Sequence, residues 1–469
     1  MTQKPNILVF FTDDHAQWAS HTYGCNEIHT PTMDYIAESG AKMANAFTPC
    51  PVCSPARASF HTGKIPSAHG IHDHINEADK GKDHPGIRGQ TSLAQVLQDQ
   101  GYYTGLVGKW HLNHFWESPP GFDIWFSNAK GTNARFGPQP FYEGNQHTER
   151  HGNQAHILTD RSLQFLQERD QDQPFFLFVG YTNTHTPHID EPDRWTNYYR
   201  KKDLTNLPNM AATGVHGATK FQYPKEPDAR HEATAQYYSA VSLIDEMMGR
   251  IIDELANQQT LDNTLIVYTS DHGHMNGHHG LHTKGNATVP QNFLEESIRV
   301  PCLLSWPGHI QADQVYSQSV DHCDLFMTLA DAAGCDCAQL KSDSPRPGMS
   351  YLPLLAGKSD FNAQEAQYCE YGNARMIRTN QFKLIKRYPG PNGHFDDELY
   401  DLKKDPQETR NVINLPENAE QVSMLTKQLA EHFAQYEIEA KSGVHIAKLP
   451  RHNGNEPWVL APNSLTPTS

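Results

Sequence analysis

The segment Asn6-Ile7-Leu8-Val9-Phe10-Phe11 is apolar at five consecutive positions, with no alternation of polarity. Such a run belongs to a strand buried on both faces, which requires a sheet covered on both sides by other layers. Continuous apolar runs return at residues 175–179 and 265–268, and residues 102–107 read as a further strand. Helical periodicity fills the intervals. In 91–100, Leu93, Val96 and Leu97 face inward and Gly101 stops the helix, while Leu158, Phe165 and Leu166 mark a second helix. In 233–255, Tyr237, Val241, Ile244, Met248, Ile251 and Leu255 recur at spacings of four and three. Strands alternating with helices predict an α/β fold with a large, mostly parallel central sheet flanked by helices.

At 469 residues the chain exceeds what one small core holds, so two domains of unequal size are expected. Pro345-Arg346-Pro347-Gly348 and Leu355-Ala356-Gly357 put the boundary near residue 360, making residues 1–360 the α/β domain. Residues 361–441 predict a smaller α+β domain with an antiparallel sheet. It has short strands at 374–378, 382–387 and 398–401, then a helix with Val422, Leu425, Leu429, Phe433 and Tyr436 on one face. Residues 442–469 lack periodicity and read as a tail that wraps the surface or moves freely.

A formal charge of −16 argues against nucleic acid and anionic membranes as general partners. An anionic substrate must then find a locally positive pocket. No stretch is long and apolar enough to span a bilayer. The first strand begins so close to Met1 that no signal peptide fits. This predicts a cytoplasmic protein, or a periplasmic or secreted one if a leader has been removed. The eight cysteines form no repeated CxxC, so a zinc ribbon is not expected. Reading Cys50-x-x-Cys53 as a redox pair leaves Pro55-Ala56-Arg57 unexplained.

Polar clusters follow the strands directly: Thr12-Asp13-Asp14-His15, Gly108-Lys109-Trp110-His111 and Asp271-His272. Ligand sites of open α/β sheets lie beyond the carboxyl ends of strands, so these clusters are expected to converge. Asp13 and Asp14 repel unless a hard divalent cation neutralises them. With Asp271 and His272 they offer most of a calcium or magnesium shell, and the imidazole leaves manganese open. Cys53-Ser54-Pro55-Ala56-Arg57 places a thiol at the mouth of a helix, where free N–H groups favour an anion. Arg57, one turn on, can partner a tetrahedral oxyanion. Lys109 and His111 share a side of an extended segment and offer a fixed charge beside a proton carrier. His185 and His188 follow the 175–179 strand in the same way, and His185 is a candidate acid. His274, His278, His279 and His282 crowd a loop closed by Lys284, a candidate anion ligand. Glycines in that loop disfavour a helical zinc arrangement, so it reads as an active-site loop.

In this order the motifs resemble those of the type I sulfatases of the alkaline phosphatase superfamily, over about residues 5 to 435. Cys53–Arg57 with Thr62-Gly63 resembles the maturation signature, and Thr12-Asp13-Asp14-His15 the first metal motif. Gly108–His111, His185-Thr186-Pro187-His188 and Ser270-Asp271-His272-Gly273 with Gly280-Leu281 and Lys284 are similar to the later ones. Glu295-Glu296-Ser297-Ile298-Arg299-Val300-Pro301 and Glu398-Leu399-Tyr400-Asp401-Leu402 complete the match. His272 stands where many relatives carry asparagine.

The resemblance implies an alkaline phosphatase-like fold and a Ca2+ ion held by Asp13, Asp14, Asp271, His272 and residue 53, with Mg2+ or Mn2+ as alternatives. A maturing enzyme would oxidise Cys53 to formylglycine (3-oxoalanine), whose hydrated aldehyde attacks sulfur to give a sulfo-enzyme intermediate. Arg57, Lys109 and Lys284 would hold the sulfate oxygens, His185 would protonate the leaving alcohol, and His111 would take the proton of the second hydroxyl as sulfate leaves. A phosphonate monoester or phosphodiester hydrolase using the same site is the rival activity. A non-catalytic protein binding sulfated glycans, or a hydrolase using the Cys53 thiol directly, are the others. The leading substrate is a small anionic sulfate ester on a carbohydrate, ahead of an aryl or choline sulfate. Trp18, His72, His74, His114 and Trp116, with the loops 117–150 and 200–230, are expected to line its pocket. His74, His188 and Trp116 are the substrate-binding candidates.

Overall fold

The computed structural model describes residues 4–76, 78, 81–129, 136–189, 191–206, 218–358, 364–391 and 393–459. In chain order its strands are β1 (Asn6–Thr12), β2 (Ala41–Phe47), β3 (Tyr103–Gly108), β4 (Ile124–Asn128), β5 (Pro138–Glu143), β6 (Gln146–His151), β7 (Phe175–Gly180) and β8 (Ala218–Thr219). Then come β9 (Thr264–Ser270), β10 (Thr288–Val289), β11 (Cys302–Ser305), β12 (Gln314–Asp321), β13 (Gln367–Tyr371), β14 (Ala374–Arg378), β15 (Phe382–Arg387) and β16 (Glu398–Asp401). Ten of them form one sheet in the order β12-β2-β11-β9-β1-β7-β3-β4-β5-β6. β9, β1, β7, β3 and β4 run parallel at its centre, while β11 and β5 run against their neighbours.

β1 shows why its sequence does not alternate. Successive side chains point to opposite faces of a strand. Ile7, Val9 and Phe11 enter one core with Phe60 and Phe178, and Leu8 and Phe10 enter the other with Val241, Ile244 and Met248. Both faces are dry, so every position must be apolar. The second face is covered by the helix Pro227–Asn257, which starts six residues before the predicted 233–255. That first turn is solvated and carries no apolar signal; its marks are a proline near the start and Asp228.

The span 117–150 does not remain loop as expected. It supplies β4, β5 and β6, which extend the main sheet at one edge. In the span 200–230, residues 207–217 lie outside the described residues, and β8 pairs with β10.

The four-stranded antiparallel sheet β13-β14-β15-β16 is the expected smaller sheet. The helix Ala419–Tyr436 buries Leu425, Leu429 and Phe433 against Ile377, Leu384 and Leu399 of that sheet. A second apolar cluster joins Phe47, Phe293 and Ile298 to Tyr371, Met376 and Ile385, tying the two sheets together. The predicted boundary at 360 lies outside the described residues. Of the expected tail, residues 442–459 are packed: His452, Asn453, Glu456 and Trp458 are buried, and 460–469 lie outside the described residues. Among the described residues no helix is long and apolar enough to cross a membrane.

Candidate catalytic and metal site

β1 and β9 are parallel neighbours with Thr12 opposite Ser270, so the residues after each leave the sheet at the same edge. Asp13 and Asp14 thereby meet Asp271 and His272, and all four are fully buried. Asp14 turns the chain at a φ of 62°, a left-handed conformation that aspartate tolerates better than most residues. Two bonds hold the turn. Asp14 N–H donates to Asp271 Oδ1 at 3.2 Å, and the Tyr237 hydroxyl donates to the Asp14 carbonyl at 3.0 Å. Tyr237 escapes sequence reading because it fits the apolar stripe of its helix.

Cys53 opens the helix Cys53–Thr62, with extended Val52 before it and Pro55 in the first turn. The helix stops at Gly63, whose φ of +67° suits the turn; a Cβ there would lie 2.8 Å from the Phe326 ring. The Cys53 sulfur accepts from Lys284 Nζ at 2.8 Å and lies 3.4 Å from both Asp13 Oδ1 and His272 Nε2.

Three buried cations interleave with the three carboxylates. Arg57 Nε donates to Asp271 Oδ2 at 3.1 Å and Nη1 donates to the Lys109 carbonyl at 3.0 Å. Its other Nη stands 3.8 Å from Asp13 Oδ2. Lys109 Nζ pairs with Asp13 Oδ2, and Lys284 Nζ donates to Asp14 Oδ1 at 2.5 Å. Lys109 reaches this place because Gly108, at a φ of 118°, lies against the Gly180 carbonyl, which a Cβ would meet at 2.1 Å. His111 also adopts a positive φ, 58°, and its Nε2 donates to the Ile75 carbonyl at 3.2 Å.

A ring nitrogen of His185 lies within 4.8 Å of donor atoms of Asp13, Asp14 and Cys53. Its Nδ1 donates to the Thr186 carbonyl at 2.5 Å. His188 Nε2 donates to the Thr184 carbonyl at 2.8 Å, and its ring packs against Tyr237, His274 and His282. His74 sits one residue before Ile75, which joins Ser54 and His111. Trp116 is 38% exposed and packs on His114 and Phe115. The loop histidines split: His274 packs on His282 and stacks on Tyr237, while His278 meets Trp18 and His279 stands 3.5 Å from Glu296.

The electrostatics follow from this crowding. Burial alone would push Asp13 up, but Lys109, His185 and Arg57 hold it below the carboxylate range. Asp271 is pushed up to about 7 by burial and then by the Asp13 charge. Burial opposes a charge on His272, yet Asp271 carries it up to about 9. Burial would also raise the Cys53 thiol, and Lys284, Lys109 and His272 outweigh it to hold the thiol well below its usual range.

Two observations fit a divalent cation here. Donor atoms of Asp13, Cys53, Asp271 and His272 lie within 4.8 Å of one another. Asp14 Oδ2 is buried with no hydrogen-bond partner among the described residues. Oxygen-rich, anionic and with one imidazole, the donor set suits a hard or borderline ion.

Cys53 at a helix mouth, beside a carboxylate cluster at the carboxyl ends of a parallel sheet, sits in an alkaline phosphatase-like fold. The family model described as Sulfatase matches residues 5–335, and that described as N-sulphoglucosamine sulphohydrolase, C-terminal, matches residues 277–435. The chain belongs to the sulfatase family and is a sulfuric ester hydrolase. It is 28% identical to an N-acetylglucosamine-6-O-sulfatase of Bacteroides thetaiotaomicron, over 93% of this chain and 87% of that protein. It is 27% identical to a choline-sulfatase of Rhizobium meliloti, over 94% and 88% of the two chains. Among solved structures, BT4656 in complex with its substrate D-glucosamine-2-N,6-O-disulfate superposes with a TM-score of 0.77 at 25% identity, covering 92% of this chain and 98% of that one. The phosphonate monoester hydrolase of Agrobacterium radiobacter shares the fold, with a TM-score of 0.73 at 20% identity over 92% and 96% of the chains.

Proposed function

We propose that the chain hydrolyses sulfate esters of carbohydrates at this site, with Cys53 matured to formylglycine by a separate enzyme. The observation that carries the reading is the convergence of Cys53, three carboxylates and three buried cations in one cluster. Asp13, Asp14, Asp271, His272 and residue 53 would hold a Ca2+ ion, which when bound polarises the sulfate and neutralises the carboxylates. Oxidised and hydrated, position 53 supplies one hydroxyl for attack and a second through which sulfate departs.

The remaining roles belong to side chains present in the pocket. Lys109 and Lys284 hold the sulfate oxygens, and Arg57 fixes Asp271 and Asp13 while adding positive charge beneath them. Asp271 helps deprotonate the attacking hydroxyl. His185 protonates the departing alcohol and His111, seated on Ile75, accepts the proton released when sulfate leaves.

The carbohydrate assignment draws on the relatives named above, one with an N-acetylglucosamine sulfate in its name and one crystallised on a disulfated glucosamine. Exposed Trp116 would give a sugar ring a face to stack on, with His74 and His188 as polar partners. Phosphonate or phosphodiester cleavage is the second reading, favoured by the fold shared with the Agrobacterium enzyme.

Mass spectrometry of the Cys53 peptide, from protein made in a host that matures such cysteines, is the test. It is followed by product release from N-acetylglucosamine-6-O-sulfate, glucosamine-2-N,6-O-disulfate and phosphonate monoesters. An aldehyde at position 53 and sulfate release are expected. An unmodified thiol in active protein, or preference for phosphonates, overturns the reading.

A further inference from the structure

Three segments far apart in sequence close on one side chain beside the site. The Ile75 N–H donates to Ser54 Oγ at 2.9 Å, next to Cys53, and the Ile75 carbonyl accepts from His111 at 3.2 Å. His74, the preceding residue, therefore stands in the pocket wall. Asp73 Oδ1 takes the His74 backbone N–H at 2.8 Å and its ring Nδ1 at 3.1 Å. Asp73 is 1% exposed and also accepts from the Tyr371 hydroxyl of β13 at 3.1 Å.

The tail completes the grip. Asn453 Nδ2 donates to the His74 carbonyl at 2.9 Å, and Asn453 also hydrogen-bonds Asp73. His452 accepts the His72 N–H at 3.0 Å on Nε2, and its carbonyl accepts from Asn76 N at 2.9 Å. Its Nδ1 is paired with Glu456 at 3.0 Å. Trp458 packs on Tyr371, so the tail and β13 brace Asp73 from behind.

This arrangement fixes one face of His74 and presents the other. Nδ1 is committed to Asp73, while the side chain as a whole is 32% exposed. Nε2 is the polar atom left to meet a ligand. A buried carboxylate at 3.1 Å favours the imidazolium, in which Nε2 is a donor. Burial opposes that charge and Asp73 outweighs it, with Cys53 adding to Asp73 and Lys284 opposing. Arg57, Lys109 and Lys284 are already occupied with the carboxylates and the scissile sulfate. His74 is paired with Asp73 and not with the metal-site carboxylates, which leaves it as a separate partner for an anion.

We propose that His74, oriented by Asp73, Tyr371 and the tail residue Asn453, binds a second oxyanion of the substrate, a carboxylate or another sulfate near the one that is cleaved. The inference rests on the sulfated-carbohydrate reading above. His74 is a specificity-determining residue, and Asp73 and Asn453 are positioning residues acting through it. A neutral imidazole would accept a hydroxyl as readily as refuse it, whereas an imidazolium discriminates for negative charge. The C-terminal tail is thereby part of the substrate pocket.

Calorimetric binding to Cys53→Ala protein, which cannot turn over, tests this separately from activity. The probes are N-acetylglucosamine-6-O-sulfate, glucosamine-2-N,6-O-disulfate and a monosulfated disaccharide bearing a uronate carboxylate. A doubly anionic probe should bind at least about tenfold more tightly than the singly charged one, and His74→Gln should remove the preference. Whichever doubly anionic probe is preferred identifies the sulfate or the carboxylate as the oxyanion. Because the imidazolium is lost as pH rises, the preference should fade with increasing pH, and Asn453→Ala should move that loss to lower pH. Equal binding of all three probes, or a preference that survives His74→Gln, overturns the proposal. Absence of sulfate release by the matured wild type, with the His74-dependent preference intact, would instead refute the hydrolytic reading.

Discussion

Glu295 joins the two sheets through charge, and its removal gives a measurable test of how they are held. Its carboxylate stands 2.8 Å from Lys383 Nζ and 3.0 Å from Arg378 Nε, both in the antiparallel sheet, and 2.7 Å from Arg299 Nε at the entry to β11. Lys383 has no exposed side-chain surface, and Glu408 on its far side is 1% exposed. At 2.8 Å a pair of unit charges is worth about 6 kcal/mol at an effective dielectric of ~20. Desolvation offsets most of this, and removing one partner of a buried pair costs about 3–5 kcal/mol because the others are left uncompensated. Arg299 keeps Gln17 and Asn45 as partners, and Lys383 keeps Glu408 and the Phe293 carbonyl, which argues for the lower end. Glu295→Gln should therefore lose about 3 kcal/mol of unfolding free energy, read as a lower urea midpoint at unchanged slope. Burial would raise the Glu295 pKa, but Lys383, Arg378 and Arg299 together hold it well below the carboxylate range. Its contribution is thus complete above the unfolded pKa and lost only as pH falls through the folded one. The gap between wild type and variant should stay constant across neutral pH and narrow only in acid. A loss below about 1 kcal/mol, or no coupling in a Glu295→Gln/Lys383→Met cycle, would refute the reasoning.

Chelation of matured protein should abolish sulfate release, and adding back Ca2+, Mg2+ or Mn2+ in turn should restore it to different extents. The best ion should also raise the melting temperature, since it relieves repulsion among Asp13, Asp14 and Asp271. Burial pushes Asp245 up to about 7, although it accepts the Thr32 and Met33 N–H groups at 2.9 and 2.8 Å. A raised carboxylate binds more protons in the folded state, so the contribution of Asp245 to stability should fall as pH rises from about 4 to 7, by at most about 1.4 kcal/mol per unit. Asp245→Asn should flatten that slope in urea melts. Gly63→Ala should cost about 2 kcal/mol, because the residue has a φ of +67° and its Cβ would meet the Phe326 ring.

Much of the site was legible because its chemistry is written in short motifs. Asp13-Asp14, Cys53–Arg57, Lys109-x-His111 and Asp271-His272 each carry their meaning in neighbouring residues, and parallel strands bring strand ends to one edge. The strands β14, β15 and β16 fall on the predicted residues for the same local reason: each run is bounded by turns. The span 117–150 misled because β5 and β6 lie at the sheet edge, and the exposed polar residues of β6 give no apolar signal.

The sequence alone therefore determined the family and the α/β architecture and marked the residues proposed for metal and nucleophile chemistry, since backbone periodicity and motif spacing are local properties. Tertiary structure decided what those residues touch. Arg57, expected to face an oxyanion, also lies on Asp271 and the Lys109 carbonyl, 214 and 52 positions away. The tail, without a readable pattern, packs behind His74 because Asn453 meets it across 379 positions. Contacts of that separation depend on how whole sheets pack, and no short stretch of sequence encodes them.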